Sequence, residues 1–197
     1  PTDRPYVLLG ESFSGPLAIQ AATRNLPGLR GVILCASFVS SPTLKVFRWP
    51  SLFTPRWFAG MMYAESKISR MLGFCTRKLQ RQVRKSEPDV CPKVLSARVI
   101  ETLNVDVSAE LQRVSVPLMY LGAKWDFAAP GRCRREVERL RPDTTTAIIP
   151  ASHRLLQDSP DAAWAALQPW LESLSAEDAL STALRTAPAN RPLSRCA

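Results

Sequence analysis

The sequence predicts an α/β fold: a parallel sheet with helices on both faces and a helical cap insertion. Three observations carry that expectation. Short runs apolar at every position, such as Tyr6-Val7-Leu8-Leu9 and Val32-Ile33-Leu34-Cys35-Ala36, suit strands buried on both faces. Segments with helical spacing alternate with those runs, as βαβ crossovers require. A stretch from 41 to 105 breaks the rhythm with a composition of its own. The 197 residues suit a single domain with a real core.

The elements follow in chain order. The run at 6–9 ends at Gly10 and reads as a strand. Residues 16–26 hold Leu17, Ala18, Ile19, Ala21, Ala22 and Leu26, with Pro16 at the start and Pro27-Gly28 closing, which frames a helix. Residues 32–36 are the second strand. After the insertion, Pro117-Leu118-Met119-Tyr120-Leu121 leads to Gly122 as a third. Residues 131–140 form an amphipathic helix with Val137 and Leu140 inward. Residues 145–149 are β-branched and strand-like. Residues 161–174 place Ala162, Ala163, Ala166, Leu167, Trp170, Leu171 and Leu174 near a 3.6 spacing. The resulting division is 1–40 core sheet, 41–105 cap, 106–174 core sheet, and a tail at 175–197 expected to be a frayed helix and then disordered.

Composition excludes several classes. Apolar residues are 46% and charged residues 22%, too apolar for a disordered chain. No apolar run reaches the roughly 18 residues of a membrane span. No fixed-period repeat supports a collagen, coiled-coil or solenoid reading. Cys35, Cys75, Cys91, Cys133 and Cys196 are odd in number and form no C-x-x-C pair. Reduced thiols in a cytoplasmic setting are expected, rather than a disulfide framework or a zinc site. The chain opens Pro1-Thr2-Asp3-Arg4, with no initiator Met and no signal-like segment, so a processed or partial sequence is expected.

The formal charge is +9, and the 41–105 stretch holds nearly all of it, with twelve Lys and Arg against four Asp and Glu. Seven of the fifteen aromatics lie there too. Arg77, Arg81, Arg84 and Lys85 fall near helical spacing. They read either as a solvated helix face or as attraction for an anionic acyl substrate, a membrane surface or an acidic carrier. No nucleic-acid-binding motif accompanies the charge, so no nucleic-acid partner is expected.

Gly10-Glu11-Ser12-Phe13-Ser14-Gly15 lies between a strand and a helix. A serine hydroxyl becomes a useful nucleophile when a sharp turn exposes it beside a base and backbone N–H donors. Small residues two before and two after permit that turn. Gly10 and Ser14 fill those places, and Gly15 comes one residue late. The alternative is a plain Gly-rich turn. Asp126 follows the strand at 118–121, and His153, the single histidine, follows the strand at 145–149. His153 alone would read as an ordinary surface or core histidine. Asp126 alone could be a loop carboxylate. Asp106 resembles a helix cap, Asp143 a turn residue, and Asp158 a cap of the last helix.

In serine, acid, histidine order, and in the Glu-Ser-Phe-Ser-Gly elbow, the chain resembles the α/β-hydrolase family over roughly residues 5–174. The Val114-Ser115-Val116-Pro117 entry and the cap-like insertion share in the likeness. The resemblance implies a partial α/β-hydrolase fold and a serine hydrolase of carboxylic ester or thioester bonds. Ser12 would be the nucleophile, His153 the base and Asp126 the orienting acid, with the Phe13 backbone N–H as an oxyanion donor. No metal or organic cofactor is implied. The expected partner is a small-molecule acyl ester. Because the family's caps cover the serine, Trp57, Phe58, Met61 and Phe127 are candidate pocket residues. The family carries further strands before the elbow, with the loop that supplies a second oxyanion donor. A C-terminal portion of such a protein is therefore expected, with 6–9 as an apolar sheet edge. The competing reading is a weakly active or inactive relic that serves as a binding module. Amide or carbon–carbon cleavage would keep the same fold, whereas epoxide chemistry would need Asp in place of Ser12.

Overall fold

The computed structural model describes residues 4–42, 71, 73 and 92–186. Four parallel strands lie side by side in chain order: β1 (Tyr6–Glu11), β2 (Leu29–Cys35), β3 (Leu118–Ala123) and β4 (Thr145–Ile149). The helices are α1 (Ser14–Ala22), α2 (Pro92–Asn104), α3 (Ser108–Arg113), α4 (Gly131–Leu140), α5 (Leu155–Asp158) and α6 (Pro160–Thr186).

The continuous apolar runs bury both faces of the sheet. In β2, Val32 and Leu34 face one layer, while Ile33 and Cys35 face the other. In β3, Leu118 and Tyr120 alternate with Met119 and Leu121 in the same way. The first layer packs Ala18, Ile19 and Ala22 of α1, Leu111 of α3 and Val137 of α4. The second packs Leu155 of α5 and Ala163, Leu167, Trp170 and Leu174 of α6. Period-2 alternation within wholly apolar strands therefore serves two cores at once. Among the described residues, β1 pairs with β2 alone and forms one edge of the sheet, with Leu9 exposed.

Beyond β2 the chain departs on its long excursion, and the two ends of that excursion are tied together. Ser40 bridges Asp106 in antiparallel fashion, and Val107 N–H donates to Val39 C=O at 2.8 Å. Within the excursion, α2 buries Val99 and Leu103. The basic spacing at 77–85 lies outside the described residues.

The end of the first helix, the role of Asp158 and the position of Asp106 differ from expectation. The first helix stops at Ala22 rather than near Leu26, because Asn25 takes a left-handed φ of 50°. The last helix runs to Thr186, within the segment from 175 expected as a frayed helix, and the disorder expected after it falls outside the described residues. Residues 175–186 hold three Ala and two Leu and contain neither Gly nor Pro, so nothing in them breaks the helix. Asp158 does not cap that helix: it ends α5, and its carboxylate accepts from the Ser152 hydroxyl. Asp143 lies in a turn as read from sequence, whereas Asp106 stands one residue before Val107, the N-cap of α3. Asp106 accepts from Ser108 N–H at the start of α3, and Asp143 is paired with Arg141. Among the described residues, no helix is long and apolar enough to cross a membrane.

Candidate active site

The strand β1 ends at the elbow, and Ser12 takes a left-handed φ of 53° there. A non-glycine residue in that region costs on the order of 1–3 kcal/mol, so the surroundings must over-determine it. They do so by close packing. A Cβ on Gly10 would lie 2.7 Å from Gly15 Cα and from Ser14 O, so only glycine lets strand and helix meet this closely. A Cβ on Gly15 would lie 1.7 Å from Ser37 Oγ. The glycine that seemed one place late in the motif is thus required where it stands. Ser14 contributes a hydroxyl bond to Glu11 C=O at 2.8 Å.

The loops after β3 and β4 bring the other two residues to the same end of the sheet. Ser12 Oγ lies 2.8 Å from His153 Nε2. His153 Nδ1 lies 2.9 Å from Asp126 Oδ1 and 3.0 Å from Oδ2. Asp126 also accepts from Ala128 N–H at 2.9 Å and Ala129 N–H at 2.7 Å, an Asx-type turn that fixes the carboxylate. A carboxylate on Nδ1 assigns the proton to that nitrogen and leaves Nε2 free to accept the serine O–H. Asp126 and His153 are 9% and 7% exposed, dry enough to strengthen that chain of bonds. The two loops are tied by Lys124 N–H to Ile149 C=O and Trp125 N–H to Ala151 C=O. Gln157 reaches across to the Glu11 carboxylate at 3.1–3.2 Å.

Of the predicted site residues, Ser12, Asp126 and His153 converge. Phe13 stands at the N-cap of α1, so its N–H is one of the helix's first donors, which have no partner within the helix. Phe127, next to buried Asp126, is 60% exposed. Trp57, Phe58 and Met61 lie outside the described residues. Sequence reasoning missed Ser37 and Tyr120: Ser37 Oγ donates to Ser12 C=O, and Tyr120 donates to Ser37 C=O, each at 2.8 Å. A hydroxyl within an apolar strand, as Tyr120, or just past the end of one, as Ser37, carries no periodic signal that would mark it.

Two cysteine thiols are near and are silenced. Burial, reinforced by the Glu11 and Asp126 carboxylates, pushes the Cys35 thiol far up. Burial likewise pushes Cys133 up to about 12. Neither is a thiolate at neutral pH. Among the described residues, no group of three or more His, Cys, Asp or Glu side chains could hold a metal ion.

Comparison with known proteins agrees with this architecture. A family model described as the alpha/beta hydrolase family matches residues 1–167. No curated protein sequence matches the chain. A bromoperoxidase from Bacillus anthracis superposes with a TM-score of 0.69 at 13% identity, covering 86% of this chain and 68% of that one. A lipase-esterase related protein from Clostridium acetobutylicum gives 0.61 at 16%, covering 83% and 64%. A thermophilic esterase from Thermogutta terrifontis gives 0.57 at 21%, covering 86% and 65%. The chain thus spans about two thirds of the length of these structures, and at such identities they share its fold. With its parallel sheet, its helices on both faces and its elbow between β1 and α1, the chain belongs to the alpha/beta hydrolase family.

Proposed function

We propose that the chain is a serine hydrolase of carboxylic ester or thioester bonds, acting through Ser12, His153 and Asp126. The observation that carries this reading is the unbroken path Ser12 Oγ to His153 Nε2, and His153 Nδ1 to Asp126, with every link at 3.0 Å or less. His153 takes the Ser12 proton as Oγ attacks the acyl carbonyl. Asp126 holds the tautomer and stabilises the imidazolium. The Phe13 N–H faces the developing oxyanion. His153 then protonates the leaving alcohol or thiol. In the second half, water gives His153 a proton as it attacks the acyl-enzyme, and Ser12 takes that proton back as the acid departs. Two of the similar structures carry esterase names, which supports acyl chemistry without fixing the leaving group, while a third carries a bromoperoxidase name. The substrate is a small acyl ester, and the surplus of Lys and Arg at 41–105 favours an anionic acyl group or an acidic carrier.

A fluorophosphonate tests the reading. One covalent adduct is expected on Ser12, located by peptide mass spectrometry, and none in Ser12→Ala. A folded sample that takes up no label would overturn the proposal in favour of a non-catalytic binding module. Rates over p-nitrophenyl esters of graded chain length then define the acyl preference.

A further inference from the structure

Beneath the elbow lies a second hydrogen-bonded chain that takes no part in proton transfer. Tyr120 Oη donates to Ser37 C=O at 2.8 Å, and Ser37 Oγ donates to Ser12 C=O at 2.8 Å. Ser37 is wholly buried and Tyr120 nearly so. Burial keeps the phenol protonated, so it remains a donor. Ser37 follows Ala36, which takes a left-handed φ of 45° and whose N–H is bonded to Leu121 C=O at 2.9 Å. The chain end of β2 is thus bent to bring this hydroxyl under Ser12. Space for it exists only because Gly15 lacks a Cβ.

The consequence follows from peptide geometry. The Ser12 C=O and the Phe13 N–H belong to one trans peptide unit, so they point in opposite directions. Whatever fixes the carbonyl aims the N–H. Two donors fix that carbonyl: Ser37 Oγ–H from below and Gly15 N–H at 3.1 Å from the first turn of α1. Building on the serine-hydrolase reading above, we infer that Ser37, backed by Tyr120, is a positioning residue that aims the Phe13 N–H at the oxyanion. Transition-state donors work through pre-set direction, and a misplacement of about 1 Å can cost on the order of 10²-fold. Gly15 N–H still holds the carbonyl when Ser37 is removed, so a smaller loss is expected.

The test compares an oxoester with the matching thionoester in the full chain and in Ser37→Ala. A thiocarbonyl sulfur is a poor acceptor, so the thionoester draws little on the aimed N–H. In Ser37→Ala, the oxoester kcat should fall about tenfold with KM unchanged, and the oxoester-to-thionoester rate ratio should shrink by the same factor. Tyr120→Phe should move the ratio in the same direction, by about threefold. If both esters slow in proportion, or neither slows, the inference is overturned while the parent chain's turnover upholds the hydrolase reading. If the parent chain neither turns over ester nor takes up the fluorophosphonate, both fall together. Circular dichroism melts verify folding, and Tyr120→Phe decides the matter if Ser37→Ala does not fold.

Discussion

The two halves of the site are held by different physics. The elbow half, between β1 and α1, is fixed by sterics: a left-handed Ser12, and two glycines whose missing side chains let strand, helix and Ser37 come together. The half after β3 and β4 is fixed by polar pins: Asp126 binds two backbone N–H groups as well as the imidazole, and Ser152 reaches Asp158. A close-packed element fails when volume is added, because the collision falls on backbone with nowhere to move. A hydrogen-bonded loop fails when a partner is removed, because a buried polar group is left behind. In folding stability, as distinct from turnover, the elbow should therefore be more sensitive to added volume than to a lost hydroxyl, and the acid–histidine half should do the reverse.

The sharpest separation of the two is Asp126→Asn. The amide oxygen can still accept from the Ala128 and Ala129 N–H groups, so the turn should survive. The carboxylate that sets the imidazole tautomer is lost. A fall in kcat of about 10³–10⁴ is expected, by analogy with the matching change in other triads, with the unfolding midpoint almost unmoved. Steady-state kinetics beside a urea titration checks both. A large loss of stability would show that the carboxylate charge, and not the turn bonds alone, holds this loop.

Next in size is Gly15→Ala, which adds one methyl group to the elbow. Its Cβ would fall 1.7 Å from Ser37 Oγ and 2.7 Å from Ser37 Cβ. Destabilisation of about 3 kcal/mol is expected, the upper end of ordinary overpacking, read from the shift in urea midpoint. Both colliding atoms belong to one side chain, so Ser37→Gly in the same chain should return part of that loss. Independent, additive effects would break the claim that the two residues share one space.

This contrast also explains what could be read from the sequence and what could not. β2 and β3 were legible because each buries both faces, and that demands uninterrupted apolar runs such as Val32-Ile33-Leu34-Cys35, while β4 was legible from its β-branched residues. Ser12, Asp126 and His153 were legible because each follows a strand in a fixed order, and because a single histidine leaves no rival. Gly15 was visible but looked misplaced, since its purpose lies with Ser37, twenty-two positions on and outside any local pattern. Ser37 and Tyr120 were silent for the same reason: a hydroxyl is recognisable by what it touches, and here both touch backbone carbonyls distant in sequence, those of Ser12 and Ser37. The four-residue α5 is too short for a period to register, whereas the end of α6 at Thr186 has a stop signal in the sequence, Pro188 two positions on.

The smallest effect tests whether polar pinning extends beyond the site, at the turn that leads into β4. Arg141 donates to both oxygens of Asp143 at 2.7–2.9 Å and also to Val114 C=O, which joins this turn to the segment entering β3. The Arg141 guanidinium holds the Asp143 carboxyl below its ordinary range. A carboxylate depressed in the folded state contributes stability above its unfolded pKa, and the contribution is lost as pH falls through the lower folded value. Asp143 is largely exposed, so solvent screening limits the pair to a few tenths of a kcal/mol. In Asp143→Asn, the urea midpoint should drop slightly at pH 7 and converge with the parent as pH falls through the lowered folded-state value of Asp143. Added salt should shrink the difference at pH 7. A gap that persists unchanged into acid would assign the effect to packing of the turn rather than to the ion pair, and the polar character of this half would then end at Asp126 and His153.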